Sequence, residues 1–192
     1  VTIELVAVEM QVGDSRKAIA RFEELLEKVP NQYMGILVAY HSSLSQAYAA
    51  IGDFEKSEHH LRISASTYTF LRRAPNYSTY GFGWHRNYLQ AQAELAFQKG
   101  RFPEAEIAYK KAIEVFEPGI KSLEIMVTGS GDINRAPGLG SDERANGNLN
   151  TPKEALEGLY IKVSDTLLKL HKVNEAEYYS REALKKALAR TG

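Results

Sequence analysis

Histidine is the side chain of this sequence best suited to metal binding or to acid–base catalysis near neutral pH. The chain has five of them, at His41, His59, His60, His85 and His171. His59 and His60 are neighbours on a predicted helix, so their side chains diverge by about 100° and that pair alone cannot chelate an ion. The 192 residues include no cysteine, which excludes disulfides, thiol catalysis and cysteine-ligated zinc.

Motifs of known catalytic chemistry are absent from the sequence. It contains no His-Glu-x-x-His zinc motif, no Gly-x-Ser-x-Gly nucleophile elbow and no Gly-Lys-Ser phosphate loop. Acidic pairs such as Glu23–Glu24 and Glu55–Glu58 fall on predicted solvent-facing sides of helices, where charged side chains are normally solvated. We therefore expect neither an enzyme nor a bound cofactor or metal ion.

The balance of charges argues against a dedicated nucleic-acid binder. The 24 basic side chains equal the 24 acidic ones in number, whereas nucleic-acid binding usually needs a positive surplus that displaces counterions. The hydrophobic fraction of 44% is ordinary for a globular protein with a core. The longest apolar runs, such as residues 36–40, are far shorter than the roughly 20 residues of a membrane-spanning helix, so we expect no membrane segment.

Residues 68–88 concentrate seven aromatic side chains beside three arginines and His85. Interleaved aromatic and arginine side chains can stack on bases or anchor a peptide, although Trp and Tyr more often pack in a core. We expect Phe70, Trp84 and Tyr88 to pack between helices. Five other members of the stretch form a candidate second surface, and RNA binding there is our third functional hypothesis. These members are Tyr77, Tyr80, Arg72, Arg73 and Arg86.

Residues 129–151 are rich in Gly, Asn, Asp and Ser and have no apolar periodicity, which is typical of a loop. The segment Gly129–Gly131 lacks the later Gly and Lys of a phosphate loop. The segment Asp132–Asn134 begins like a calcium loop but lacks its Gly and its closing Glu. We expect a solvated linker here, with a segment that binds a partner or fills a groove as the alternative.

Four segments of the chain share one pattern: a helical stretch, a short break, and a second amphipathic stretch with a small residue near its start. Three breaks carry glycine, which ends helices because it tolerates a positive φ angle. The fourth carries histidine. The residues at the breaks are Gly13, Gly52, Gly100 and His171, and the small residues that follow are Ala18, Ser57, Ala105 and Ala176. A small side chain at this register lets two helix axes approach closely. Residues 53–73 are predicted as one long helix.

This pattern resembles the tetratricopeptide repeat (TPR), a helix–turn–helix unit that stacks into a right-handed superhelix. The small residue that the family places in its first helix is matched by Ser45, Ala93 and Ser164, and its following aromatic by Tyr48. Successive breaks lie 39, 48 and 71 residues apart, against about 34 in the family. The resemblance implies an all-α solenoid of antiparallel helix pairs in one domain, residues 1–192. Its repeats lie near residues 1–30, 36–73, 84–117 and 153–189, with a loop insertion at 129–151.

In TPR arrays the first helices of successive pairs line a concave groove that holds a protein segment. The resemblance implies that the second, third and fourth repeats contribute the groove residues Ser42, Gln46, Asn87, Gln90, Glu94, Ile161 and Asp165. The family's clamp for a C-terminal carboxylate would need basic side chains where Ile3, Ser42 and Gln90 stand. We therefore expect a neutral to mildly acidic groove that suits a polar or basic segment.

The resemblance and the missing catalytic motifs together predict a non-enzymatic scaffold that binds a peptide or protein segment in this groove. The alternative is a regulatory module of a larger bacterial signalling or protease protein, with the groove or the loop contacting its own chain. Its motivation is that the sequence does not begin with Met and that its last helix runs almost to Gly192.

Overall fold

Seven helices make up the part of the chain that the computed structural model describes, namely residues 14–73, 77–130 and 150–191. For residues 77–81, 126–130, 150–151 and 190–191, only the backbone is described. In chain order the helices are α1 (Ser15–Lys28), α2 (Met34–Ala50), α3 (Phe54–Leu71), α4 (Tyr77–Gln98), α5 (Phe102–Ser130), α6 (Asn150–Lys169) and α7 (Val173–Thr191). These ranges contain no strand, which confirms the all-α prediction.

Tight turns of one geometry join α2 to α3, α4 to α5 and α6 to α7. The turn residues Gly52, Gly100 and His171 have φ angles of 81°, 74° and 57°. At each turn the amide of that residue donates to the carbonyl three residues back, and the next amide donates to the carbonyl five residues back. These two bonds define a Schellman helix end, which requires a left-handed residue. The predicted turns are therefore confirmed at all three positions, and Gly13 lies outside the described residues.

Small residues lie at the contact between the two helices of each pair, a few residues before and after the turn. The hydroxyl of Ser57 donates to the carbonyl of Ser45 over 2.8 Å, and the hydroxyl of Ser164 donates to the carbonyl of Ala176 over 2.9 Å. The middle pair has two buried alanines at the corresponding positions, Ala93 and Ala105. Because the contacts pair residues at similar distances before and after each turn, the helices of every pair run antiparallel.

Each helix packs on the next one along the chain, and α2 also packs on α4. This last contact depends on Gly35, because a Cβ atom there would overlap the ring of Trp84. Trp84 and Tyr88 are half-buried, and Tyr88 packs on the larger apolar cluster, so both pack between helices as predicted. The same prediction is wrong for Phe70, whose side chain is 62% exposed.

Helix boundaries depart from the predicted repeats mainly in the third one. The single helix predicted over residues 53–73 is confirmed by α3. By contrast, α4 begins at residue 77 rather than near 84, and α5 continues through Pro118 to residue 130. The loop predicted at 129–151 is thus helical at both margins, and residues 131–149 lie outside the described part. None of the described helices combines the length and the apolar character that crossing a membrane requires.

Candidate functional site

The predicted groove residues come from α2, α4 and α6, and the structure divides them by exposure. Ser42 has no exposed surface, and its Oγ atom lies 2.8 Å from that of Ser64 on α3. It is buried where α3, which is long enough to reach it, packs on α2, and α2 also packs on α4. Ser42 therefore offers no surface to a ligand and is not part of the candidate site.

Glu94 is also largely buried, and its carboxylate is fully engaged inside the protein. It accepts hydrogen bonds from the hydroxyl of Tyr109 at 2.5 Å and from the amide of Gln98 at 2.9 Å. The Nζ atom of Lys162 lies 3.1 Å away. Burial alone would raise the pKa of Glu94, but the Lys162 charge and the hydrogen bonds outweigh burial, so the pKa lies below its usual range. Glu94 therefore positions α4 against α5 and α6 and is not free to bind a partner.

The remaining predicted groove residues are at least partly accessible. Gln46, Asn87 and Gln90 are half-buried, whereas Ile161 and Asp165 are exposed. Gln46 donates its side-chain amide to a backbone carbonyl of its own helix, and Gln90 accepts a 3.1 Å hydrogen bond from Arg86. These five residues form the candidate surface, which we call the α4–α6 surface because four of them lie on α4 and α6, with both exposed ones on α6.

One side of the first helix of each pair becomes progressively more exposed along the chain. The positions ten and three residues before the turn residue are Ser42 and Ala49 in α2, and both are buried on a helix that packs against α3 and α4. In α4 the corresponding positions are half-buried. In α6 they are Ile161 and Leu168, which are 45% and 51% exposed. The repeated pattern therefore leaves an apolar strip on α6 that no described helix covers as α4 covers α2.

The arginines of the candidate second surface differ in how accessible they are in the structure. Arg86 lies with its guanidinium carbon 4.6 Å from the ring centre of Phe116 and bonds to Gln90, so it serves internal packing. Arg72 and Arg73 are exposed at the end of α3. The side chains of Tyr77 and Tyr80 lie outside the described residues, so their predicted role stays a prediction.

A shallow cleft of about 280 Å³ opens between the start of α2 and the end of α3. Its lining surface is mostly apolar although three of the six side chains are polar, and it consists of Asn31, Met34, Leu37, Ser66, Thr67 and Phe70. Arg72 and Arg73 follow directly after this part of α3. The cleft is large enough for one apolar side chain but smaller than most small-molecule pockets, which span about 300–1,000 Å³.

Two histidines that no sequence motif connects meet between α2 and α3. The Nδ1 atoms of His41 and His60 lie 2.9 Å apart. Two zinc–nitrogen bonds of about 2.0–2.1 Å at a tetrahedral angle would hold the nitrogens about 3.3 Å apart, so the spacing fits a hydrogen bond better than a metal site. The contact could have been predicted from the register of the helix pair, because the antiparallel pairing that joins Ser45 to Ser57 also brings His41 to His60.

Among the side chains that the structure describes, no group of three or more His, Asp or Glu residues could hold a metal ion. The α4–α6 surface presents an exposed apolar side chain, Ile161, beside amide and carboxylate side chains. Comparison of the chain with protein-family models, with curated proteins and with solved structures yields no match.

Proposed function

We propose that this chain is a TPR-like α-solenoid without catalytic activity that binds a segment of another protein along the α4–α6 surface. The repeated turns at Gly52, Gly100 and His171 support the solenoid, because they give three helix pairs one geometry. Stacking of such pairs into a right-handed superhelix is part of the same proposal. Helical repeats of this kind commonly present extended binding surfaces.

The observation that carries the proposal is the exposure of Ile161 and Leu168. Their counterparts on α2 are covered by another helix, so the strip on α6 has the position and the apolar character of a packing surface without its partner. Exposed apolar strips rimmed by polar residues are typical of protein interaction sites. A bound segment would cover this strip much as α4 covers α2.

The polar members of the α4–α6 surface indicate what kind of segment fits. Asp165 is exposed and contributes a negative charge, and Asn87 and Gln90 contribute amides that can pair with a peptide backbone. A segment with an apolar anchor beside a basic side chain would satisfy both parts of the surface. The RNA-binding hypothesis receives less support, because Arg86 is engaged with Phe116 and Gln90.

The test compares proteins captured from a cell lysate by the wild type and by an I161S/D165A variant, quantified by mass spectrometry. Both substituted side chains are exposed, so the variant should fold normally. The matched control is I107S, which removes another exposed isoleucine on α5. We expect a partner that the wild type and I107S retain and that I161S/D165A loses at least tenfold. Equal capture by all three proteins would contradict the α4–α6 surface as the binding site.

A further inference from the structure

A partly buried hydrogen bond joins two titratable side chains, His41 on α2 and His60 on α3. His41 is only 8% exposed. The ring of Tyr48 lies parallel to that of His60, with 5.5 Å between the ring centres. Because the two Nδ1 atoms share a single proton, one imidazole donates and the other accepts. The pair is therefore complete when neutral.

The groups around the pair give little compensation for an added proton. Glu23 on α1 favours a charged His60, but Lys56 and His59 on α3 oppose it. Glu23 also accepts a hydrogen bond from the Tyr48 hydroxyl. Burial is the largest influence on both imidazoles, and together with the charges of the neighbouring histidines it lowers the pKa of His60 and brings that of His41 down to about 4.

Helix α4 also packs on α2, and its charged groups are engaged elsewhere. Arg86 lies over Phe116, and Glu94 bonds to Tyr109. His85 stacks on Tyr68 at 4.7 Å between ring centres. None of these groups is among the residues that shift the two imidazoles. The charge state of the pair therefore depends on burial and on the groups of α1, α2 and α3.

We propose that the His41–His60 hydrogen bond is an acid-sensitive clasp that holds α2 against α3 near neutral pH and releases them in mild acid. A doubly protonated pair presents two Nδ1–H donors and two positive charges to each other, so the bond cannot form. Protonated imidazoles are better solvated once the helix pair opens, and proton uptake therefore favours opening. The clasp is independent of the proposed binding role.

The sign of the effect follows from proton linkage. Histidine in an unfolded chain has a pKa of about 6.5, and both folded values lie lower, so the folded state binds fewer protons. The stabilisation is complete above pH 6.5 and is lost as the pH falls toward about 4. For His41 alone, the folding equilibrium constant should fall roughly 30-fold between pH 7.5 and pH 5.0.

The experiment measures urea unfolding at pH 7.5 and pH 5.0 for the wild type and for an H41N/H60N variant. Asparagine places an amide close to the position of Nδ1, so a hydrogen bond can persist without titrating. We expect the folding constant of the wild type to fall at least roughly 30-fold more than that of the variant over this pH range, since His60 adds to the contribution of His41. The matched control is H59N at the neighbouring exposed position, which should keep most of the loss of the wild type, because burial outweighs the charge of His59 at both imidazoles.

Nuclear magnetic resonance of the histidine ring protons in the folded wild type supplies a second measurement, which decides the matter even if H41N/H60N does not fold. We expect the His41 signal to titrate well below pH 6.5 and the His60 signal to titrate below that pH. Titration of both rings near pH 6.5 would overturn the clasp, as would equal pH dependence of unfolding in the wild type and in H41N/H60N.

Discussion

Lys162 on α6 reaches back to α4, where its Nζ atom lies 3.1 Å from the Oε2 atom of Glu94. The carboxylate is buried, whereas the lysine side chain is 41% exposed. This ion pair thus links α4 with α6, which are the first helices of two successive helix pairs. The same ion pair explains why Glu94 is unavailable for binding although its neighbours remain accessible.

We predict that E94Q lowers the free energy of unfolding by about 1–3 kcal/mol, the usual cost of leaving buried polar groups without a full set of partners. The substitution removes the charge that pairs with Lys162 and places an amide donor near the Tyr109 hydroxyl. Chemical denaturation at pH 7 measures the effect. The control is E114Q on the exposed side of α5, which should change stability by less than about 0.5 kcal/mol. Equal effects of both substitutions would contradict the buried network.

Local signals explain why much of the fold is predictable from the sequence. A glycine at a helix end and a small residue shortly after it identify a turn and a close helix contact without any knowledge of distant residues. The structure has both features at Gly52–Ser57 and at Gly100–Ala105. His171 shows that the left-handed turn persists even where glycine is missing, because the helix pair on either side still requires it.

The candidate site was less predictable because burial depends on contacts between distant segments. Ser42 is covered by Ser64 and α4, and Glu94 is covered by partners on α5 and α6. A repeat pattern gives the side of the helix on which a residue lies but not the length of the neighbouring helices. Ile161 and Asp165 are exposed, and their part in binding stays a prediction.

The shared turn geometry predicts opposite effects of two substitutions. Gly100 has a φ angle of 74°, and a Cβ atom added there would meet no atom within 4 Å. G100A should therefore be destabilised by about 1–2 kcal/mol through backbone conformation alone. His171 already occupies that conformation at 57°, so H171G should be stabilised by up to about 1 kcal/mol. Thermal unfolding of both variants measures these changes, and a loss of stability in H171G would contradict the strain at that turn.

Close approach of α4 and α5 predicts that A105R disrupts the middle helix pair. Ala105 is fully buried opposite Ala93, so an arginine there must bury a charge without a partner, at a cost of several kcal/mol. The control is I107R, two residues along the same helix, where the isoleucine is 57% exposed. Circular dichroism during heating should show a large fall in the melting temperature for A105R and a small change for I107R. Similar melting temperatures for the two variants would mean that Ala105 is not buried against α4.

The contact between Gly35 and Trp84 predicts a change that fluorescence can follow, because Trp84 is the single tryptophan of the chain. G35A places a methyl group where the ring lies, so α2 and α4 must separate or the ring must move. We expect the free energy of unfolding to fall by about 1–3 kcal/mol, which is typical of overpacking. We also expect the emission maximum to shift to longer wavelength as the ring meets water. The control is G158A on α6, where the added methyl group meets no atom and alanine favours the helix by up to about 1 kcal/mol. An emission maximum that stays the same in G35A would show that the ring does not cover Gly35 in solution.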